Sequence, residues 1–371
     1  MEIKLIYDMR HLGPRMHGMA RYGLELLKAM LEQEEELAVG VLVRRTQDAG
    51  LLPQDRRVVN LVCDLAPYGI KSQLMLPRLL DALRPQVYHC PFYAPPASFK
   101  GPMVFTVHDL IHLRFPQHYS LGHRIFYRWR VGPALRRARA IFTVSEHSKR
   151  DLVGMLRADP NKVVVTPNGV GPEFKPLPAG EQEAAARELG LPRRYILGVG
   201  NPKPHKNLGA LVQAHRLLLE QGEGPGEKVP PLVLVGVEPG EVPEAAAGQE
   251  IVFRDHLGDR DLARAYGAAA VVVVPSLYEG FGLPALEALA CGAPLVCSER
   301  ASLPEVVGEA GLLCQPEPAE LARQTARLLA DDELAQRLRR AGPERAARFT
   351  WQEAARRTLA VYRDIITGRR R

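Results

Sequence analysis

The sequence predicts an α/β chain built from two doubly wound, parallel-sheet domains, and three observations carry that prediction. At 371 residues the chain is too long for one ordinary domain, and two domains of roughly 150–200 residues are the natural expectation. Short β-rich runs alternate with helical patterns, and the alternation lapses once and then restarts. Many of the runs are near-continuous valine stretches bounded by turn residues, which suits strands covered on both faces.

In the first half, strands are expected at 3–8, 39–43, 58–62, 87–89, 104–109, 140–145 and 163–166. Amphipathic stretches lie between several of them; Leu24, Leu27 and Leu31, for example, fall on one helix face. Glycine and proline then accumulate in NGVGPEFKPLPAGE (168–181) and the periodicity stops. The first domain is therefore placed at 1–170, with a linker over 171–192. A second set of strands follows at 195–200, 232–236, 251–253, 271–276, 294–298 and 311–315, giving a second domain at 193–349. The insertion at 221–231 reads as a surface loop. The tail, 350–371, reads as a helix with Trp351, Ala355, Leu359 and Tyr362 on one face, expected to pack back on the first domain. Open α/β sheets bind ligands beyond the C-terminal ends of their strands, so the informative residues belong just after strands.

Composition narrows the function classes. Hydrophobic residues make up 46% and charged residues 25%, average for a globular protein with properly buried cores. No apolar run approaches the roughly 18 residues of a membrane span. The opening MEIKLIYD enters a strand pattern directly, unlike a secretory signal. The five cysteines, Cys63, Cys90, Cys291, Cys297 and Cys314, form no C-x-x-C pair and read as reduced thiols of a cytoplasmic protein. Residues 1–170 carry 24 Lys and Arg against 15 Asp and Glu, while the remainder is slightly acidic. A basic first half suggests an anionic partner there, a phosphate-bearing substrate or a membrane surface. Nucleic acid is not expected, because no base-reading motif accompanies the charge.

The strongest motif is PSLYEGFGLPALEALACGAP (275–294). A valine strand ends at Pro275, a loop carries Glu279, Gly280, Phe281 and Gly282, with Leu283 following, and a helix opens about Pro284. Proline suits a first helical turn because its missing N–H is not needed there. Backbone N–H groups at such a start, with the positive dipole end behind them, make a seat for a diphosphate. Glu279 is placed to accept hydrogen bonds from sugar hydroxyls, and Glu287, one turn inside the helix, to hold a ribose through its two hydroxyls. An ordinary strand–loop–helix with solvated glutamates reads almost as well on spacing alone.

The E-x7-E arrangement of Glu279 and Glu287 within EGFGLPALEALACGAPLV resembles the signature of the family 4 retaining glycosyltransferases of the GT-B fold, two Rossmann-like domains facing a cleft. The resemblance runs over nearly the whole chain. It implies that Glu279 contacts the donor sugar and Glu287 the nucleotide ribose. YILGVGNPKPHKNLGALVQAH (195–215) is similar to the family's basic loop: Lys206 matches, as a group that offsets charge on a departing phosphate, while His205 stands where the family usually has arginine. HGMARYG (17–23) is similar to the family's glycine-rich N-terminal segment, with Gly18 the candidate to approach the donor phosphates and Ala20 in place of a second glycine; Arg21 is read as structural. In VFTVHDLIHLRFP (104–116), the resemblance implies that His108 contacts the donor sugar, with Asp109 orienting the loop. In TVSEHSKRDLV (143–153), Ser145 is read as a helix N-cap and Lys149 as structural.

The implied activity is transfer of a sugar, with retention and without metal, from a nucleotide-diphosphate sugar to a glycan, lipid-linked or small-molecule acceptor. No cofactor is expected, and no D-x-D, H-E-x-x-H or Cys/His cluster suggests a metal site. A nucleotide-sugar epimerase of the same architecture is the alternative; the E-x7-E pair argues against it. A nicotinamide-dependent oxidoreductase lacks its G-x-G-x-x-G. A catalytically silent carbohydrate-binding scaffold has no reason to keep Glu279, Glu287 and Lys206 together. Between Leu110 and Ser145 there are seven arginines (114, 124, 128, 130, 136, 137 and 139) and no acidic residue, with Ile125, Phe126, Tyr127 and Trp129 interleaved. That pattern suits either a solvated helix or a peripheral contact with anionic membrane at its inner face.

Overall fold

The computed structural model describes residues 3–13, 18–118, 121–221, 228–242 and 250–370. The side chains of 118, 121 and 123–126 lie outside the description, as do most of the 221–231 insertion and the 14–17 part of the N-terminal motif. The chain divides into two compact units: unit 1 comprises Met1–Gly169 and Thr350–Arg371, unit 2 Val170–Phe349.

Unit 1 runs β1 (Ile3–Asp8), α1 (Gly18–Gln33), β2 (Leu37–Val43), β3 (Val58–Val62), α2 (Ile70–Leu83), β4 (Val87–Cys90), β5 (Met103–Thr106), α3 (Ile111–Arg114), α4 (Leu121–Arg137), β6 (Ala140–Thr143), α5 (Glu146–Leu156) and β7 (Val163–Val165). Its seven strands are all parallel, in the order β3-β2-β1-β4-β5-β6-β7. The order reverses between β1 and β4, and crevices of this kind are where doubly wound sheets take ligands. Every residue of β4, β5 and β6 is buried, as helices on both faces require. The edge strand β3 leaves Val59 and Val62 more than half exposed, because it has a neighbour on one side only.

Unit 2 runs α6 (Gln182–Glu188), β8 (Ile196–Val199), α7 (Leu208–Glu220), β9 (Leu232–Val235), β10 (Ile251–Arg254), α8 (Asp259–Ala268), β11 (Val271–Val274), α9 (Leu283–Ala290), β12 (Leu295–Ser298), α10 (Leu303–Val307), β13 (Leu312–Cys314), α11 (Pro318–Ala330) and α12 (Asp332–Ala346). Its six parallel strands follow β10-β9-β8-β11-β12-β13, with the reversal between β8 and β11. The segment at 171–192 carries α6, which packs on α8 within unit 2. The chain then re-enters unit 1 as α13 (Trp351–Ile366), whose Thr350 caps its start by accepting from Glu353 N–H and which packs along α1.

Strands end earlier than the runs of β-formers suggest, for local reasons. β11 stops at Val274 because Pro275 has no N–H to give the ladder. β5 stops at Thr106; Val107 still donates to Phe142 O, but His108 and Asp109 have left the sheet. β6 stops at Thr143, freeing Ser145 to accept from Ser148 N–H at the start of α5. All five cysteines are buried free thiols.

Candidate functional site

In unit 2 the expected residues gather beyond the ends of β8 and β11, neighbours in the sheet. Gly282 stands just before α9 with φ 105°, a region open to glycine and costly for other residues. A Cβ there would also lie 2.6 Å from Leu303 Cδ2. Ala285 and Leu286 N–H both donate to Gly282 O, so helical bonding begins at once, and Leu283 and Pro284 form the first turn. Phe281 is buried and packs edge-on to Phe349, with ring centroids 5.7 Å apart.

The basic loop after β8 is sewn to the acidic loop after β11. Pro204–Lys206 form a single 3₁₀ turn, and Asn207 takes a left-handed conformation, φ 56°. Its amide donates to Pro275 O at 3.1 Å and Pro316 O at 3.0 Å, while Leu277 N–H donates to His205 O at 2.8 Å. These bonds bring Lys206 onto Glu279: Nζ lies 2.7 Å from Oε1 and 3.0 Å from Oε2. Ser276 Oγ also donates to Oε1, at 2.8 Å. The Glu279 carboxylate, which the sequence alone leaves open to a ligand, is already engaged by two donors.

Glu287 sits in the second turn of α9, 6% exposed, and accepts from Tyr266 OH at 3.3 Å. Ser302 is a site residue the motifs did not single out. Its hydroxyl reaches Glu279 O at 2.9 Å and Phe281 O at 2.8 Å, clamping the loop between the glutamate and the helix. Ser302-Leu303-Pro304-Glu305 has the spelling of a capping box, yet the Ser302 side chain does not cap α10; its hydroxyl is spent on the loop instead.

The remaining expected residues belong to unit 1. Gly18 begins α1, exposed, and a side chain there would meet nothing within 4 Å; the protein's own packing does not demand glycine. Arg21 is half-buried and Ala20 fully buried. His108 Nε2–H donates to Pro91 O at 2.9 Å, and its ring stands edge-on to Tyr22 at 4.6 Å. Ser148 Oγ donates to His108 O. The Asp109 carboxylate accepts from Ile111 N–H at the start of α3.

Two buried polar groups lie behind these residues. Arg10 and Asp8, 1% and 0% exposed, form a bidentate pair at the end of β1, joined by Tyr88 OH donating to Asp8 Oδ2 at 2.6 Å. Burial pushes the Asp8 carboxyl up, but Arg10 and the hydrogen bonds outweigh it and hold it below its ordinary value. His89 at the end of β4 bonds Tyr362 OH through Nδ1 and Thr106 Oγ1 through Nε2. Burial lowers its pKa to about 3, so it is neutral.

Of the seven arginines in the basic stretch, Arg130 is buried, 2% exposed, with Tyr127 beside it in the core; it is not a surface charge. Arg114, Arg128, Trp129, Arg136 and Arg137 are exposed, and Arg139 is half-buried. No described helix is long and apolar enough to cross a membrane. Among the described residues no group of three or more His, Cys, Asp and Glu side chains is placed to hold a metal ion.

Family models match both units: Glycosyltransferase Family 4 over residues 16–174 and Glycosyl transferases group 1 over residues 193–331. A D-inositol 3-phosphate glycosyltransferase from Acidothermus cellulolyticus is 31% identical, the match covering 92% of this chain and 80% of the relative. The chain belongs to the family 4 glycosyltransferases. O-antigen chain mannosyltransferase B from Escherichia coli is 29% identical, over 97% of this glycosyltransferase and all of that one. Some other curated relatives match over only about a third to a half of their own length (33% and 53%). Among solved structures, Anabaena HepE in complex with UDP and glucose superposes with a TM-score of 0.75 at 18% identity, covering 97% of this chain and 100% of that one. The glycosyltransferase thus has the GT-B architecture of two parallel-sheet α/β domains.

Proposed function

We propose that this glycosyltransferase takes a nucleotide-diphosphate sugar in unit 2 and transfers the sugar, with retention and without a metal ion, to an acceptor bound by unit 1. The observation that carries the reading is the Lys206–Glu279 pair beside the Gly282 turn and the start of α9. A fixed cation and a helix start converge there, the combination that receives a diphosphate. In this reading Lys206 and the N–H groups around Gly282 and Leu283 take the diphosphate, with His205, Gly280, Phe281 and Pro284 shaping the loop. Glu279 holds the donor sugar, Glu287 the ribose, and Gly18 and His108 complete the donor's surroundings from unit 1. Lys206 leaves Glu279 for the phosphate, offsetting the charge that develops as the sugar–phosphate bond breaks. The acceptor hydroxyl forms the new bond on the face the diphosphate leaves, and its proton passes to the departing phosphate oxygen.

The relatives' names, a mannosyltransferase of O-antigen chains and an inositol-phosphate glycosyltransferase, support a polyhydroxylated acceptor such as a growing glycan. Peripheral contact with anionic membrane through Arg128, Trp129, Arg136 and Arg137 belongs to the same reading: these side chains are exposed together, Trp129 by 59%. Binding to anionic vesicles at low salt, lost on Arg128→Glu plus Arg137→Glu, is its test.

The decisive experiment screens uridine, guanosine and adenosine diphosphates for thermal stabilisation, then follows the anomeric configuration of the product by NMR in the presence of chelator. Stabilisation by one diphosphate that disappears in Lys206→Ala is expected. Inversion at the anomeric carbon, or turnover abolished by chelator, overturns the reading.

A further inference from the structure

Beyond the ends of β3, β4 and β5 in unit 1 the structure builds a ladder of rings that the donor reading does not use. Tyr68 follows β3, Tyr93 follows β4, and His112 follows β5 in α3. Tyr68 and Tyr93 stand 5.3 Å apart with planes 32° from parallel. Tyr93 continues to Tyr127 at 5.1 Å and to His112 at 6.0 Å. Phe92 and Tyr127 are buried beneath, 0% and 1% exposed, while Tyr93 and His112 are half-buried and Tyr68 is 36% exposed.

The loop that carries Tyr68 is held by two buried guanidinium groups. Arg10 Nη1 donates to Leu65 O at 3.1 Å. Arg130 Nη2 donates to Pro67 O at 3.2 Å, and its Nη1 approaches Tyr68 O at 3.5 Å. Arg10, already paired with Asp8, thus lends one further hydrogen bond to this loop, and Arg130 bonds two of its carbonyls. The ladder also adjoins His108: the carbonyl that its ring grips belongs to Pro91, two residues before Tyr93.

We propose that Tyr68, Tyr93 and His112 form an acceptor subsite that receives one pyranose ring. The C–H groups on one face of a pyranose are apolar and stack on an aromatic face, while its hydroxyls point outward to phenol and imidazole groups. Rings of this kind supply large, rigid contact area with a polar tip. The proposal rests on the reading of this chain as a transferase with its acceptor in unit 1, and it narrows the acceptor from any polyol to a chain ending in a pyranose sugar.

The test uses saturation-transfer NMR on the full-length protein with methyl α-mannopyranoside, methyl α-glucopyranoside, myo-inositol and octyl α-mannopyranoside as probes. Transfer to the ring C–H protons of at least one methyl pyranoside is expected, reduced at least fivefold in Tyr68→Ala and restored in Tyr68→Phe, which keeps the ring face. Because Tyr68 lies at the surface, Tyr68→Ala folds, and its circular-dichroism melt verifies that. Three outcomes overturn the proposal: no transfer from either methyl pyranoside, transfer unaltered in Tyr68→Ala, or transfer confined to the octyl chain, which marks a lipid-binding face. Nucleoside-diphosphate stabilisation is measured on the same wild-type sample. Pyranoside transfer without it overturns the donor reading and spares the subsite; stabilisation without pyranoside transfer does the reverse.

Discussion

Lys206 and Glu279 hold each other in a two-oxygen ion pair, 15% and 11% exposed, beside the Gly282 turn that opens α9. They arrive from different loops, 73 residues apart in sequence, and each satisfies the other. The pair keeps a cation and an anion ready in one place without leaving either charge stranded.

Separate removal of the two groups is therefore expected to cost activity and stability together. Lys206→Ala and Glu279→Ala are each expected to lower kcat/KM by about 100-fold or more, the scale of losing one preorganised contact to developing charge. Each leaves a largely buried, uncompensated partner, so urea unfolding shows a loss of about 1–3 kcal/mol. The double variant is less destabilised than the sum of the singles, because it strands no charge. Additive stability losses would contradict the pairing.

Ser302 is expected to act on donor binding rather than on chemistry. Its hydroxyl clamps the carbonyls of Glu279 and Phe281, so Ser302→Ala loosens the loop while leaving Lys206 and both glutamates in place. The donor KM rises severalfold with little change in kcat, corresponding to roughly 1 kcal/mol of lost hydrogen bonding. An unaltered donor KM removes Ser302 from the site.

Gly282→Ala combines backbone strain at φ 105° with a contact of 2.6 Å to Leu303 Cδ2. A cost of about 1–3 kcal/mol follows from the conformation alone, with weaker nucleoside-diphosphate binding because the start of α9 must shift. Thermal melts with and without nucleotide separate the two effects.

How much of this was legible beforehand follows from range. The valine runs gave both sheets, since doubly covered strands advertise themselves locally, and Ser145 declared its cap three residues from its partner. Which strand lies at an edge is not legible locally: the missing neighbour that leaves Val59 and Val62 of β3 exposed is a matter of topology. The motifs located Lys206, Glu279 and Glu287 but not the ion pair, which exists only once β8 and β11 are neighbours. Arg130 read as one of seven like charges, because nothing within its own helix signals that it turns inward to the carbonyls of Pro67 and Tyr68. His89 and Tyr362 meet across 273 residues, a contact that depends on the last helix returning to unit 1.

The Arg10–Asp8 pair tests how unit 1 is held together. Arg10→Met leaves Asp8 buried with Tyr88 as a remaining donor, and a loss of about 3–5 kcal/mol is expected in denaturant unfolding. The sign of the pH effect is fixed by the lowered Asp8 pKa. The stabilisation is fully present above the ordinary carboxylate pKa and is lost as pH falls through the lower folded value. In Arg10→Met that acid limb moves to higher pH; an unchanged limb would mean that the pair does not control it.

His89 sets a second acid-sensitive term, with its own window. Buried among Tyr362, Thr106 and the rings of Tyr7 and Phe142, it is neutral in the folded chain, with a pKa lowered to about 3 by burial first and by nearby His108 second, while Asp8 acts in the opposite direction. The unfolded chain binds a proton on this group near its ordinary value of about 6.5. Stability from His89 is therefore complete above about pH 6.5, falls as the pH drops toward 3, and levels off below, a span worth at most about 5 kcal/mol. Because Tyr362 comes from α13, the same loss loosens the C-terminal helix from α1. His89→Gln keeps one donor and one acceptor but does not titrate, so its unfolding free energy is expected to be lower at pH 7 yet flatter between pH 6.5 and 4. An equally steep acid limb in His89→Gln would assign that dependence to the carboxylates alone.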